Sequence, residues 1–347
     1  MSWIHELGLR WPILQAPMAG AQGVELAIAV SEAGGLGALP SAMLDPEALD
    51  AALGDYRRRS ARPLNVNAFS HVTPPVDAAA QARWQASLAP YYAEYGLTPP
   101  EPATGPGRRP FDAETCAVLE AHRPAVVSFH FGLPSPALLA RVKAWGARVL
   151  STATTVEEAR WLEARGVDAI IAQGLEAGGH RGHFLSDDLS LQLGTLALLP
   201  QVAAAVEVPV VAAGGIAGPR SVAAALTLGA SAVQVGTAWL RCPESTIRPL
   251  HREALASDAA RHTALTNLYS GRPARGIVTR LMRELGPLSE RAPAFPLAAA
   301  GLAPLRAAAE EAGSGDFSPL WAGQDTSGCR AVPAAEQLRW LAGDGGP

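Results

Sequence analysis

Residues 208–237 read VPVVAAGGIAGPRSVAAALTLGASAVQVGT, and this stretch decides the fold. An apolar run, Val208–Ala213, stops at Gly214-Gly215; a helix-like segment, Pro219–Leu228, follows; a second apolar run, Ala232–Thr237, ends in Gly-Thr. Both runs are apolar at consecutive positions, as in strands covered on both faces, and a helix between two such strands makes them parallel neighbours.

The unit recurs along the chain. Earlier strands are expected at Pro12–Ala19 (PILQAPMA), Gly35–Pro40 (GLGALP), Leu64–Phe69 (LNVNAF), Ala125–Phe131 (AVVSFHF), Ala147–Thr152 (ARVLST) and Asp168–Gln173 (DAIIAQ). Between the strands lie helix-like segments at Val24–Ala33, Pro46–Arg59, Pro136–Trp145, Val156–Arg165 and Leu189–Val206. Eight strands alternating with helices are the count that closes a (β/α)8 TIM barrel, with an open doubly wound sheet as the alternative sharing the same local grammar.

Two segments break the rhythm. Ser70–Pro110, rich in Pro and holding Trp84, Tyr91, Tyr92 and Tyr95, follows the third strand, so it is expected on the catalytic rim as a cover or a stabilising excursion. The tail from about Ser245 carries helical patches and the motifs Tyr269–Gly276 (YSGRPARG) and Leu320–Gln324 (LWAGQ). The expected organisation is a barrel over 1–244 with an insertion at about 70–110, and a small C-terminal helical cap over 245–347.

Composition narrows the function. The chain has 347 residues, 48% of them hydrophobic, enough for one large core, and its net charge of -4 comes from dispersed residues that offer no footprint for nucleic acid or an anionic membrane. Three scattered cysteines, Cys116, Cys242 and Cys329, fit neither a disulfide framework nor a zinc pattern, and the start lacks a secretory signature, so a cytoplasmic protein acting on a small molecule is expected. No Gly-x-Ser-x-Gly elbow or Walker loop supports hydrolysis.

A TIM barrel keeps its active site at the carboxyl ends of its strands. That rule selects Met18, Ala19 and Gly20 after the first strand, Asn67 on the third, His130 on the fourth and Gln173–His180 after the sixth. It also selects Gly214 and Gly215 after the seventh and Gly236 and Thr237 after the eighth, where glycines let backbone amides approach a phosphate. The segment Ala172–Gly182 (AQGLEAGGHRG) is expected as an irregular loop, and His180 in it suits acid-base work or anion binding near neutral pH. His180 and His183 form an isolated His-x-x-His pair without a third ligand at motif spacing, so no metal is expected.

Taken in order, PILQAPMAG, NVNAF, SFHFGLP, AQGLEAGGHRG, VPVVAAGGIA, QVGT, SGRPARG and LWAGQ closely resemble class I nitronate monooxygenases, formerly called 2-nitropropane dioxygenases, across Pro12 to Gln324. The resemblance implies FMN, with Gln15, Pro17, Met18 and Ala19 edging the isoalloxazine, Asn67 and Gln173 hydrogen-bonding it, and Gly178 and Gly179 approaching it. It further implies that Gly214, Gly215, Gln234, Gly236 and Thr237 hold the phosphate and that His180 is the active-site histidine. Ser270 is a candidate substrate contact, as is His130 from the fourth strand, for which a satisfied core histidine is the alternative. The implied reaction oxidises an alkyl nitronate, or a nitroalkane after removal of its α-proton by His180, with O₂ to a carbonyl compound and nitrite; a homodimer is compatible. Thr279 stands where the resemblance leads one to expect Asn, a departure at the rim. Competing readings are an NADH-dependent FMN reductase of the enoyl-thioester or quinone type, a flavin-binding accessory subunit without catalysis, and a phosphosugar barrel.

Overall fold

The computed structural model describes residues 3–101 and 108–344. Residues 102–107 of the rim insertion, the last three of the tail and Met1-Ser2 lie outside the described residues. The strands in chain order are β1 (Ile13–Gln15), β2 (Gly37–Pro40), β3 (Leu64–Phe69), β4 (Val126–His130), β5 (Arg148–Ala153), β6 (Ala169–Gln173), β7 (Gly179–His180), β8 (Val210–Ala213), β9 (Ala232–Val235), β10 (Thr263–Thr266) and β11 (Ala274–Ile277). All but β7, β10 and β11 form one parallel sheet in the order β1-β9-β8-β6-β5-β4-β3-β2. A parallel bridge between Leu14 and Leu36 brings the two end strands together, with Leu36 N donating to the Ile13 carbonyl (3.1 Å) and Gln15 N to the Leu36 carbonyl (2.9 Å). The sheet therefore closes into a barrel, as the strand count requires.

Side chains alternate across the barrel wall with the strand period of two. Ile13, Val66, Val127, Val149, Ile170, Val210 and Val233 pack outward against the surrounding helices in the largest apolar cluster. Leu14, Val126, Leu150, Ala169, Val211 and Ala232 point inward, and Ile4 and Leu9 from the amino-terminal segment close that end of the barrel. Both faces are thus apolar, which is why the strands read as continuous hydrophobic runs. At the opposite end the inward positions turn polar: Asn67, Thr152, Gln173 and Gln234 line a cavity there.

The rim insertion holds a helix, Ala78–Glu94, that packs on the tail instead of lying over the barrel alone. Trp84 Nε1 donates to the Ala298 carbonyl (3.1 Å) and Tyr92 Oη to the Gly301 carbonyl (2.8 Å) of the tail helix Ala298–Glu311. Tyr91, Leu268, Leu281, Leu302, Leu305 and Phe317 complete the shared core. The final helix, Ala334–Leu341, returns to the barrel and buries Ala334, Leu338 and Leu341 in its helix ring. Among the described residues no helix is long and apolar enough to cross a membrane.

One expectation fails here. Ala172–Gly182 was expected to be irregular throughout, yet Gly179 and His180 form β7, pairing antiparallel with Arg275 and Ala274 of β11, which in turn pairs with β10. The partner strand lies some ninety residues downstream, so no local pattern announces it.

Candidate active site

The cavity at the carboxyl ends of the barrel strands has a volume of about 450 Å³, within the range of small-molecule sites. His180 sits on its wall, held by the segment that follows β6. Arg181, fully buried, spans the base of that segment: its guanidinium donates to the carbonyls of Gln173 (2.7 Å) and Gly174 (2.6 Å) and to Gln192 Oε1 (2.6 Å). Gln173 adds a cross-brace, its Nε2 donating to the His180 carbonyl (3.0 Å) and its Oε1 accepting from Gly182 N (2.8 Å). His130 Nε2 donates to the same carbonyl (3.2 Å) while its Nδ1 accepts from Thr152 Oγ1 (3.0 Å). His130 therefore lines the cavity with both ring nitrogens already bonded.

The His180 ring lies among aromatic edges: Phe295 at 5.4 Å, Trp321 at 5.7 Å, Phe131 at 6.0 Å and Phe69 at 6.2 Å between centroids. Its Nε2 is 2.8 Å from Ser270 Oγ. Burial, reinforced by the positive charge of Arg108 and Arg272 and by His130 and His71, holds its pKa well below the ordinary histidine value, so the ring is neutral at neutral pH. Ser270 itself is buried behind the ring and off the cavity wall.

A second corner is built from the ends of β8 and β9. Gly214 and Gly215 take φ of +111° and +67°, a backbone that L side chains rarely adopt, and turn the chain so that Gly215 and Ile216 face the cavity. Their amides donate to no protein acceptor among the described residues. Gly236 and Thr237, at the head of a short 3₁₀ turn (Thr237–Trp239), complete the corner. Glu176 also reaches this region, but its carboxylate is taken up by Thr195, whose N donates to Oε2 (2.8 Å) and whose Oγ1 donates to the same oxygen (2.9 Å).

Pro17, Met18, Ala19, Asn67, Gln173, Gly178, Gly179 and Gln234 all lie on the wall between these two features. Asn67 spends both amide hydrogens on Ser128, at 3.1 Å to the carbonyl and 3.0 Å to Oγ, which leaves its oxygen as an acceptor. Gln234 Oε1 is buried without a hydrogen-bond partner. Gln15, expected at the isoalloxazine edge, is off the wall: it lies on the outward side of β1 with Ile13, fully buried, and its Oε1 accepts from Ala38 N (2.9 Å) across the β1–β2 seam. Ser270 is likewise not at the wall. The alternation that turns Leu14 inward turns Gln15 away.

Several wall residues carry no motif of their own. Arg108 comes from the insertion, and Arg306, Glu310, His251 and Ser318 come from the tail. Arg306 Nε donates to Glu310 Oε1 (2.7 Å), as does Ser318 Oγ (2.7 Å), and Arg248 pairs with the other Glu310 oxygen (3.0 Å). Their shared placement depends on the insertion–tail packing, which no local pattern encodes. The LWAGQ motif crosses the cavity beside the glycines: Gly323 N donates to Thr237 Oγ1 (2.9 Å), and Gln324 N donates to the Glu176 carbonyl (2.9 Å). A Cβ on Gly178 would lie 2.6 Å from Ala322 C and Gly323 N, so that glycine is needed for this close approach. Thr279, the departure noted at the rim, is buried and its hydroxyl bonds Tyr269 Oη, facing the insertion–tail core. His183 is buried against Asp187 (3.4 Å), and the described residues contain no cluster of three metal-ligating side chains.

Comparison with known proteins places the chain as a whole among relatives of known kind. The family model described as nitronate monooxygenase matches residues 2–340. A nitronate monooxygenase of Pseudomonas aeruginosa is 44% identical over 337 residues, covering 96% of each chain. Among solved structures, nitroalkane oxidase from Streptomyces ansochromogenes superposes with a TM-score of 0.89 at 41% identity, covering 98% of this chain and 97% of that one. FabK from Thermotoga maritima superposes with a TM-score of 0.74 at 28% identity, covering 99% of this chain and 96% of that one.

Proposed function

The chain belongs to the nitronate monooxygenase family, and from that premise we propose that its cavity oxidises alkyl nitronates, and nitroalkanes once deprotonated, with O₂ to a carbonyl compound and nitrite, using FMN. The observation that carries the proposal is the pairing of two features on one wall: a glycine corner with unpaired amides at the ends of β8 and β9, and a neutral, rigidly held His180 facing the same space.

The residues present fit a flavin mononucleotide. The amides of Gly215 and Ile216 suit a phosphate, because backbone donors at such a turn supply positive potential without a cationic side chain. The free acceptors on Asn67 and Gln234 suit a heterocycle that presents N–H groups, and Met18, Ala19 and Gly179 supply the close, mostly apolar wall that a planar ring requires. When bound, the flavin supplies the electron transfer that the side chains cannot.

The protein's own part is placement and proton movement. His180, neutral, takes the α-proton of a nitroalkane: the C–H bond breaks, its electron pair enters the C=N bond of the nitronate, and the proton stays on the ring. A substrate that arrives as the nitronate needs no such step and meets instead the cation Arg108 on the wall. The aromatic edges of Phe69, Phe131, Phe295 and Trp321 shield the ring from solvent. The reductase reading has the lesser support, since its structural relative is 28% identical against 41% for the nitroalkane oxidase.

The test is anaerobic mixing of the FMN-loaded protein with ethylnitronate in one cell and NADH in another, followed by flavin absorbance. Bleaching by the nitronate with NADH inert is the expected result. Bleaching by NADH with the nitronate inert moves the activity to the reductases.

A further inference from the structure

The hydroxyl of Ser270 carries one proton and two lone pairs, and three groups compete for them. The Arg272 carbonyl at 3.2 Å can only accept, and the Arg272 amide at 3.4 Å can only donate. Giving the hydroxyl proton to the carbonyl satisfies all three groups at once, with the amide filling one lone pair and the other facing His180 Nε2 at 2.8 Å, whereas donation to a bare Nε2 would take that donor from the carbonyl. In the arrangement that satisfies all three, Nε2 bears a proton. In a neutral imidazole the other nitrogen is then bare.

We propose that Ser270 is a positioning residue that selects the tautomer of His180, keeping the proton on Nε2 and presenting the Nδ1 lone pair to the cavity as the site that receives the substrate's α-proton. The inference rests on the reading of His180 as the base. Nδ1 has no protein hydrogen bond among the described residues and is not among their sealed, unpartnered atoms, as an atom open to the cavity would be. The neighbouring histidine behaves differently under the same logic. His130 Nε2 faces a carbonyl and must donate, and its Nδ1 is filled by the Thr152 hydroxyl, so of the two histidines that meet at the His180 carbonyl only His180 keeps a free lone pair.

The choice of a hydroxyl has a further consequence. A carboxylate in the place of Ser270 would orient the ring equally well but would stabilise the imidazolium. The groups facing His180 are Arg108 from the insertion, Arg272 from the loop before β11, His130 from β4 and His71 beyond β3, all of which oppose a second proton on the ring. A neutral hydroxyl fixes the proton's position without working against that field.

The experiment uses the FMN-loaded protein labelled with ¹⁵N-histidine, with the His180 signals identified by their loss in His180→Asn. Wild type at neutral pH is expected to show a protonated Nε2 and an unprotonated Nδ1. Ser270→Ala is expected to give a mixed tautomer and to lower kcat/KM for nitroethane about tenfold relative to kcat/KM for ethylnitronate; Ser270→Thr, which keeps the hydroxyl, restores both. A wild-type ring protonated on Nδ1 overturns the proposal, and so does a Ser270→Ala protein with unchanged tautomer and unchanged substrate ratio. Absence of nitronate turnover in wild type would instead overturn the proposed activity, leaving the nitrogen signals to decide the tautomer by themselves.

Discussion

Arg181 shows how much of the site hangs on a residue that never touches the cavity. Its three hydrogen bonds fix the carbonyls of Gln173 and Gly174 and the side chain of Gln192, and burial has lowered its pKa to about 9. Arg181→Met removes the charge but strands those acceptors, each costing about 1–3 kcal/mol when buried and unpaired. The expected outcome is a clear fall in the urea midpoint together with weaker FMN retention, read by denaturation and by flavin fluorescence on dilution. His180→Asn removes the base while keeping a similar volume. Turnover of neutral nitroalkanes should drop about 100-fold or more, with a smaller loss for preformed nitronates. The depressed pKa of His180 adds a sign to the pH profile: the base form persists below the ordinary histidine value, so the acid limb of nitroalkane kcat/KM should lie below the range in which a free imidazole titrates. Arg108→Ala, by removing one of the opposing charges, should move that limb upward, and a limb that stays fixed would mean the guanidinium is not felt at the ring.

At the scale of elements, what the sequence reveals depends on whether the signal is local. β3 and the helix Pro46–Arg59 are legible to the residue, the latter because Asp45 caps Ala48 N (2.8 Å) and Pro46 opens the first turn. The glycine pair after β8 stands out in the sequence through its place, with Gly-Gly closing the seventh apolar run and Gly-Thr the eighth, at the carboxyl ends where a barrel keeps its site. β7 is not, since two residues become a strand only through β11 far down the chain. The helix Ala113–His122 between insertion and β4 is likewise hidden by weak amphipathic patterning, and the outward turn of Gln15 follows from register alone. The insertion–tail body is the largest feature that sequence leaves unread, because Trp84 meets Ala298 only in the folded chain. Trp84→Ala tests that body. Removing a buried Trp costs about 3–5 kcal/mol, and Arg108 and Arg306 reach the cavity from the two segments it joins. Loss of stability accompanied by a higher KM for nitronate is expected; loss of stability with KM unchanged would detach the insertion from the substrate's side of the site.

The whole molecule keeps several histidines buried and uncharged, and this makes its stability depend on pH in a defined window. Burial is the largest cause in each case: it holds His71, His183 and His251 at about 4 and His130 at about 3. In the unfolded chain these rings titrate near 6.5. Above that pH neither state binds the protons and the histidines contribute no pH dependence. As pH falls below it the unfolded chain takes up protons that the folded protein refuses, so folding stability declines by on the order of 1.4 kcal/mol per pH unit for each fully titrating histidine, until the folded values are reached. The paired carboxylates Glu25, Glu94, Glu284 and Glu310 have lowered pKa values, so their contribution is lost only below the ordinary carboxylate range. The interval from pH 6.5 to 5 therefore reports the histidines. Thermal unfolding of the FMN-loaded protein should give a Tm that is level from pH 8 to about 6.5 and falls steadily to pH 5, with the fall reduced in His251→Gln, which removes one titrating ring outside the His180 cluster. A Tm that held constant across the lower interval would mean that these rings are solvated in the folded protein. The low basicity of His180 would then need a cause other than burial.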